Sequence, residues 1–422
     1  MSNNNYILNL LNIKDENIFI KQEIKNKTIK GKNYMIIEGF LTYNPEYCPC
    51  CGIINESTTD IIKWGYRKNC KIKIPKISNC SSLLILHKQR FYCKHCNNTF
   101  IAETNLIDRN KNISNNTELE INLELMKKQS EKDIADRLDV SVSKIDRKLN
   151  EISCHTVLRH PTLPISMNWD EFKATEDTNG KMAFIITDND SGNIFDINDS
   201  RKSRDLDKYF RRYSKSERDK VKHISTDFFP GYIYLAKKLF KNADISIDRF
   251  HIVVQAYVAL NATRVKLCNK SNPNYNKLKD YWKLILKNEN DLNNEKHYSK
   301  HFHKDISQKE IVQYLINTNK VFKTTYECYQ GIINSIKDKD FYKFKLIVEH
   351  PSNFISDKMK QALKLYKENL KYIENSFKYD INNGIVEGTN NLIKCLKRIA
   401  FGYRKYDHFI ARVFLIKGII KG

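Results

Sequence analysis

The sequence has no run of apolar residues long enough to cross a membrane, although hydrophobic residues make up 41% of its 422 residues. Its first residues, MSNNNYILNLLNIKDE, do not combine a basic start with an apolar signal core. The first absence argues against an integral membrane protein, and the second argues against secretion. We therefore expect an intracellular protein with no membrane partner.

Acidic residues are scarce relative to basic ones. The chain has 72 Lys and Arg residues against 49 Asp and Glu residues, which gives a formal net charge of +23. Such an excess favours polyanionic partners, of which nucleic acid is the most obvious. Part of it reflects the abundance of Lys, Asn and Ile, the residues that AT-rich coding sequences favour, so charge alone does not decide the function.

The residue sets of enzymes that cut DNA through a covalent tyrosine intermediate are also missing. The chain contains 23 Tyr residues, but no Arg-His-Arg-Tyr set stands at a convincing spacing. His301-Phe302-His303 resembles a metal cluster, but it lies in a charged run and is interpreted as solvated surface. A tyrosine mechanism is therefore not favoured.

Four cysteines have the spacing of metal ligands. Two C-x2-C knuckles, separated by about forty residues, are typical of a tetrahedral thiolate site for structural Zn²⁺. Between them, residues 71–74 and 83–86 alternate like short strands, so residues 41–112 are predicted to form a zinc ribbon after an N-terminal segment at 1–40. Cys50 and His95 are alternative ligands. The predicted zinc ligands are Cys48, Cys51, Cys93 and Cys96.

Residues 113–155 are predicted to form a helix-turn-helix domain. Candidate helices cover 118–128, 130–138 and 142–152, and Ser130 and Ser141 are suitable N-caps. The last helix can enter the major groove of DNA, although small helical bundles of other function look similar. Its predicted DNA-binding residues are Lys144, Arg147 and Lys148.

The next region has the element order of an RNase H-like fold. Three short strands in succession are followed by alternating helices and strands. In that arrangement a carboxylate on the first strand lies beside one at the end of the fourth strand, which points to Asp170 and Asp227. Glu171 competes with Asp170, because neighbouring residues on a strand face opposite sides. Trp169 is interpreted as packing. The predicted strands are 165–172, 181–187, 193–197, 223–227 and 244–248, and the predicted helices are 206–222 and 231–240.

Residues 382–412 contain one acid in a basic segment. If a helix begins near Ile385, then Glu387, Asn391, Lys394 and Arg398 share one face. A carboxylate can hold a divalent metal and cations can hold phosphates, so this face suits an enzyme that acts on a nucleic-acid backbone. A solvated basic helix with an incidental Glu is the alternative. The predicted DNA-binding residues of this segment are Lys394, Lys397, Arg398 and Arg404.

Four segments together resemble the ISL-three family of bacterial insertion-sequence transposases, which belongs to the DDE superfamily. They are ISMNWDEF, HISTDFFPGY, SIDRFHIVVQ and NGIVEGTNNLIKCLKRIAFGYRKYDHFIARVF, and RFYCKHCNNTF at the end of the ribbon fits the same layout. The resemblance implies a catalytic triad of Asp170, Asp227 and Glu387, and it favours Asp170 over Glu171. It further implies an RNase H-like core at 165–268, a helical insertion at 269–379 and a C-terminal helical part of the core at 380–422.

The expected activity is that of a bacterial, cytoplasmic DNA transposase that binds the inverted-repeat ends of its element and cuts and joins double-stranded DNA. Three carboxylates can bind two Mg²⁺ or Mn²⁺ ions that activate the attacking oxygen and stabilise the leaving oxygen. A homodimer or higher oligomer is expected when two ends are held together. The alternatives are a transposase-derived regulator that does not cleave DNA, and a nuclease or resolvase that does not join strands.

Asp248 and His251 lie in a further family landmark, Asp248-Arg249-Phe250-His251. A direct catalytic role is one interpretation of this segment. A structural corner, in which the Asp and Arg form local contacts and the aromatic residues pack, is the other.

Overall fold

A computed structural model describes residues 3–56, 59–154, 160–178, 180–379 and 384–420, without the side chains of residues 3–5 and 384–387. The chain forms two compact units, of which the first is Met1–Val157 with Leu392–Gly422 and the second is Leu158–Asn391. No helix among the described residues is both long and apolar enough to cross a membrane.

The first unit begins with a five-stranded sheet of order β1-β2-β4-β3, with β5 added on β4. β2 and β4 are parallel, and the other pairs are antiparallel. Apolar residues alternate along the first part of β4, so that Leu84 and Leu86 are completely buried on one face of the sheet. The elements are α1 (Asn3–Leu10), β1 (Ile18–Ile29), β2 (Lys32–Leu41), β3 (Ile61–Ile77), β4 (Cys80–Cys93) and β5 (Thr99–Ile101).

The structure brings the four predicted zinc ligands together. Their Sγ atoms all lie within 4.8 Å of one another, and the Cys48–Cys96 and Cys51–Cys93 pairs are 3.8 Å apart. Sulfurs bound at about 2.3 Å to a tetrahedral zinc are separated by about 3.8 Å, so the group has the dimensions of such a site. Cys50 and His95 lie outside this group.

Three helices follow the sheet: α2 (Asn115–Leu125), α3 (Glu131–Leu138) and α4 (Val142–Cys154). Ser114 caps α2, so this helix begins and ends three residues before the predicted range. Ser130 and Asp133 form a capping box at α3, and the Ser141 hydroxyl accepts a hydrogen bond from the Lys144 N–H at the start of α4. Both predicted capping serines are therefore confirmed.

The turn between α3 and α4 is attached to the sheet by an ion cluster around Asp139. This residue ends α3 in the left-handed conformation, with φ 53°. Its carboxylate pairs with Lys73, and it accepts hydrogen bonds from Lys32 at 3.0 Å and from Tyr34 at 2.8 Å. Burial alone would raise the pKa of Asp139, but these hydrogen bonds lower it to about 2.

The second unit contains a five-stranded sheet of order β10-β9-β6-β7-β8. β6, β7 and β8 form an antiparallel meander, whereas β9 is parallel to both β6 and β10. Trp169 is 1% exposed and stacks on Phe210 at 5.0 Å, which confirms its interpretation as packing. The strands are β6 (Ser166–Lys173), β7 (Met182–Asp188), β8 (Ile194–Asn198), β9 (His223–Thr226) and β10 (Asp244–Ile247).

The helices of this sheet region are α5 (Ser203–Phe210), α6 (Lys215–Asp219), α7 (Pro230–Leu239) and α8 (Arg249–Leu267). The prediction of one continuous helix over 206–222 was wrong. Ser214 accepts a hydrogen bond from the Glu217 N–H and starts α6 as a separate helix. A serine side chain that caps a new helix competes with the backbone hydrogen bonds that would continue the preceding helix. The pattern of charged residues over 206–222 gives no sign of such a cap.

Helices α8 to α15 build the largest hydrophobic core of the described residues. α8 packs against α12 and α14, and the Tyr366 hydroxyl donates to the Ile252 carbonyl at 2.7 Å. A two-stranded hairpin interrupts the helices, so the expected helical insertion is not wholly helical. The elements are α9 (Tyr275–Asp280), α10 (Trp282–Ile285), β11 (Lys296–Ser299), β12 (Lys304–Ser307), α11 (Gln308–Ile316), α12 (Lys320–Lys337), α13 (Phe341–Glu349), α14 (Asp357–Glu368) and α15 (Leu370–Lys378).

Helix α15 covers the edge strand β10. Asn375 donates to the Ile245 carbonyl at 2.8 Å, and the Ser376 hydroxyl donates to the Ile247 carbonyl. These bonds satisfy carbonyl groups that an uncovered edge strand would leave unpaired.

The chain ends with α16 (Gly384–Ile399) and α17 (Tyr406–Ile416). Ala411 and Leu415 of α17 are fully buried in the core that α2, α3 and α4 form. Arg412 is also fully buried, and its guanidinium donates to the carbonyls of Lys127 and Gln129 in the connection between α2 and α3. The last helix is therefore part of the three-helix region in the first unit.

We predict that the chain binds about one zinc ion and that the ribbon depends on it. Replacing Cys93 by Ser removes a thiolate ligand, so zinc content should fall from about one to near zero per chain and the ribbon should unfold. Metal analysis and protease sensitivity measure both effects. Cys50→Ser is the matched control, and a zinc content unaffected by Cys93→Ser would contradict the assignment of the ligands.

We also predict that Asp139→Asn lowers the free energy of unfolding by about 2 kcal/mol, because it leaves the partly buried Lys73 and Tyr34 without the charged group that they contact. Since the pKa of Asp139 is lowered from 3.8 to about 2, its stabilising effect is present above about pH 4 and is lost as the pH falls towards 2. Thermal unfolding across this range measures the effect. Asp136→Asn, at an exposed residue of the same helix, should change stability little at any pH.

Candidate active site

The register of three parallel strands brings three aspartates to one end of the second sheet. Asn168 of β6 lies opposite Ser225 of β9, and continuing this register by two residues places Asp170 beside Asp227. Thr226 lies opposite Ile247 of β10, and one further residue places Asp248 beside Asp227. The carboxyl ends of adjacent parallel strands thus carry a row of Asp170, Asp227 and Asp248, which we call the acid row.

Hydrogen bonds hold the carboxylates of Asp170 and Asp227. Asp170 accepts the Glu171 N–H at 2.7 Å and the side-chain amide of Asn390, also at 2.7 Å. Asp227 accepts the Phe229 N–H at 2.8 Å. Burial raises the pKa of Asp227, and the neighbouring charges of Glu171 and Asp170 raise it further. The site therefore concentrates negative charge in a poorly solvated place.

Glu171 has partners of its own. One nitrogen of Arg201 lies 2.8 Å and 2.7 Å from the two Glu171 carboxylate oxygens, and the Tyr232 hydroxyl donates to the same carboxylate at 3.1 Å. Glu171 is thus paired with a cation, whereas the strand register places Asp170 in the acid row. This difference favours Asp170 over Glu171 as the ligand on β6.

Asp248 and its neighbours make the contacts of a structural corner. Asp248 is 7% exposed and caps α8 by accepting the Phe250 N–H at 2.9 Å. The Arg249 guanidinium donates to the carbonyls of Ser376 and Tyr379 and so ties the end of α15 to this corner. Burial raises the pKa of Asp248, and the nearby Asp170 adds to this shift, which reflects its place in the acid row.

Glu387 lies in α16, but its side chain is outside the described residues. Asn390 follows it by three residues, so the two share one face of the helix. Because Asn390 donates to Asp170, this face of α16 adjoins the acid row. The sequence prediction named Asn391 and missed Asn390. The helical repeat allows either residue beside Glu387, and only the contact with β6 distinguishes them.

The oxygen atoms of this region are suitable ligands for hard divalent cations such as Mg²⁺ or Mn²⁺. The carboxylates of Asp170 and Asp227 are two such ligands. The buried Oδ1 of Asn390 is a third candidate, because it has no hydrogen-bond partner among the described residues. A cation would also relieve the repulsion between Asp170 and Asp227. The oxygens of the acid row do not all lie within 4.8 Å of one another, and among the described residues only the four cysteines reach that closeness.

The predicted DNA-binding residues of α4 differ in their surroundings. Lys144 pairs with Glu118, and Lys148 is 3.2 Å from Glu151 with its side chain 14% exposed. Arg147 is exposed and borders a cavity of about 280 Å³ between α4 and the first sheet. This cavity is also lined by Lys71, Lys73, Asn112, Ser141 and Lys144.

The basic residues predicted near the C-terminus are mostly accessible. Lys394 and Arg398 are exposed on α16, and Arg404 is exposed in the connection to α17. The ammonium group of Lys397 instead lies 5.0 Å from the centre of the Phe409 ring, in a cation–π contact. Three of the four therefore present charge to the solvent.

Comparison with known proteins identifies the second half of the chain. A family model described as "Transposase", for the ISL-three type of the DDE superfamily, matches residues 167–413. The chain is 22% identical over 245 residues to the "Transposase for insertion sequence element IS1001" of Bordetella parapertussis, which covers 55% of this chain and 56% of that protein.

A second relative is similar over a shorter stretch. The chain is 26% identical over 124 residues to a protein named "ATP-dependent protease" from Lactococcus lactis subsp. lactis. This match covers 29% of the chain and 40% of that protein, so the chain spans well under two thirds of both curated relatives. The family match, by contrast, extends over more than half of the chain and includes all but the first residue of β6, the acid row and most of α17. The chain therefore belongs to the ISL-three family of transposases.

Proposed function

We propose that the protein is a DNA transposase that binds the inverted-repeat ends of an insertion sequence and cuts and joins DNA there. The observation that carries this proposal is the strand register that places Asp170 beside Asp227 at the carboxyl ends of β6 and β9. Two partly buried acids in a basic chain of a transposase family suit phosphodiester chemistry.

The sheet order supports an RNase H-like catalytic core. An antiparallel meander of β6, β7 and β8 is extended on the β6 side by the parallel strands β9 and β10. This is the arrangement expected from the order of elements in the sequence. It puts the first and fourth strands next to each other, as a shared carboxylate site requires.

Asp170, Asp227 and Glu387 are proposed to form the catalytic triad. When bound, two Mg²⁺ or Mn²⁺ ions would activate the attacking oxygen and stabilise the leaving oxygen of the scissile phosphate. The amide of Asn390 fixes the Asp170 carboxylate, and the Phe229 N–H fixes that of Asp227. Attack by water leaves a 3′-OH, and the same site can use this hydroxyl to attack target DNA, since only the attacking oxygen differs.

DNA binding is assigned to the helix-turn-helix formed by α3 and α4, and to the basic face of α16. The exposure of Arg147 and the basic lining of the adjoining cavity support the first assignment. Exposed Lys394 and Arg398 support the second. A homodimer or higher oligomer would hold two ends together, and the four-cysteine site would hold a structural zinc.

Single substitutions of the triad test the proposal. Asp227→Asn, Asp170→Asn and Glu387→Gln should each reduce Mg²⁺-dependent cleavage by about a thousandfold, because metal-ion catalysis contributes several kcal/mol to the transition state. Affinity for DNA should stay near normal. The substrate is a labelled fragment carrying the DNA that flanks the coding sequence, and gel analysis resolves nicked and joined products.

Asp190→Asn is the control, because Asp190 is an exposed acid of the same unit outside the acid row. Double variants of the triad should be little worse than single ones, since ligands of one metal site act as a unit. Strong cleavage by Glu387→Gln would refute the triad. Binding without cleavage by the unaltered protein would indicate a regulator, and cleavage without joining would indicate a nuclease.

Arg147→Ala should weaken DNA binding and reduce the slope of log affinity against log salt by about 1, as expected for one lost phosphate contact. Lys148→Ala should have a smaller effect, because this side chain is mostly buried and paired with Glu151. Binding titrations at several salt concentrations compare the two. Equal affinities and slopes for Arg147→Ala and the unaltered protein would place end recognition elsewhere.

A further inference from the structure

Phe401 is almost completely exposed. Its side chain is 99% accessible to solvent, the largest value among the large hydrophobic residues that the structure describes. Exposing a phenyl ring forgoes the free energy that burial of its apolar surface would provide. Single exposed hydrophobic residues are common, so the exposure needs a second observation before it indicates a function.

The backbone at Phe401 supplies that observation. The Phe401 N–H bonds to the Arg398 carbonyl at 3.2 Å, and the Gly402 N–H bonds to the Lys397 carbonyl at 2.9 Å. These two bonds form a Schellman motif that ends α16, and its left-handed position is normally occupied by glycine. Here Phe401 occupies it, with φ 51°. A bulky residue is strained in this conformation, and Gly402 directly follows it.

The surroundings of the ring are basic. From Gly388 to Tyr406 the sequence contains five Lys and Arg residues and no Asp or Glu. Arg398 and Arg404, three residues before and after Phe401, are both exposed. A polyanion is therefore the partner that the electrostatics of this turn favour. A protein surface that covers an apolar ring does not require positive charges on both sides of that ring.

We propose that Phe401 stacks on a nucleobase of bound DNA while the neighbouring cations hold the phosphates. Aromatic side chains stack on bases of any sequence, and apolar side chains inserted between base steps anchor proteins on distorted DNA. Strained residues are retained where function requires them, which accounts for a phenylalanine at a glycine position. The inference rests on the proposed function only in taking DNA as the partner.

The first test replaces Phe401 by Trp, which keeps an aromatic ring and adds a fluorescent reporter. The probes are a mixed-sequence duplex and a short oligothymidine, titrated without divalent metal. The extra fluorescence of Phe401→Trp over the unaltered protein should be quenched on binding, because bases quench a stacked indole. Tyr342→Trp is the control at a ring that is 72% exposed on α13, and its signal should not change.

The second test replaces Phe401 by Gly, which should affect stability and binding in opposite directions. Glycine adopts the left-handed backbone conformation without strain, so the midpoint temperature of thermal unfolding should rise by about 2 °C. Loss of the ring should weaken binding of both probes by about tenfold. A structural role for the ring predicts a lower midpoint instead, and that result would overturn the proposal.

Unchanged affinity of Phe401→Gly, or an unquenched Phe401→Trp that still binds both probes, would also overturn it. All these measurements are repeated with Asp227→Asn, so they do not depend on cleavage. Failure of the unaltered protein to cleave DNA would count against the proposed activity and leave the stacking result intact. Stacking without cleavage and cleavage without stacking are therefore distinguishable.

Discussion

The parallel pairing of β6, β9 and β10 is the constraint on which the candidate site depends. A strand has a repeat of two residues, so a shift of one residue in either pairing would turn the acids of neighbouring strands to opposite faces. The buried side of the sheet prevents such a shift. Trp169 and Ile224 are buried in one core, and a one-residue shift of either strand would turn its buried side chain away from that core. Hydrophobic packing on one face thereby positions the polar groups of the other.

The same packing explains how much of the site was predictable. Short apolar strands in a recognisable order located Asp170 and Asp227, because their position follows from which strands are neighbours. The partner of Asp170 was not predictable to the same degree. Asn390 and Asn391 stand three and four residues after Glu387, and both spacings face the same side of a helix. Only tertiary contact selects Asn390, and a single sequence contains no record of that contact.

The first unit shows a different limit. The paired knuckles identified four cysteines that the fold brings within 4.8 Å of one another, since metal ligands require a particular spacing. β1 escaped prediction because most of its residues are exposed and polar, with no alternation to detect. Asp139 looked like an ordinary turn residue, yet it joins α3 to Lys73 and Tyr34, far away in the sequence. Interactions between distant segments leave little trace in local patterns.

Two features that local rules disfavour lie in the segments for which DNA chemistry is proposed. Asp227 is partly buried beside other acids, and both its burial and their charges raise its pKa. Phe401 combines a left-handed backbone with full exposure of an apolar ring. Neither feature stabilises the fold by itself, and each would become favourable with the partner proposed for it: a divalent cation at the acids and a nucleobase at the ring. Stability elsewhere in the molecule, from the core around α8 and from the covered edge of β10, permits these two local losses.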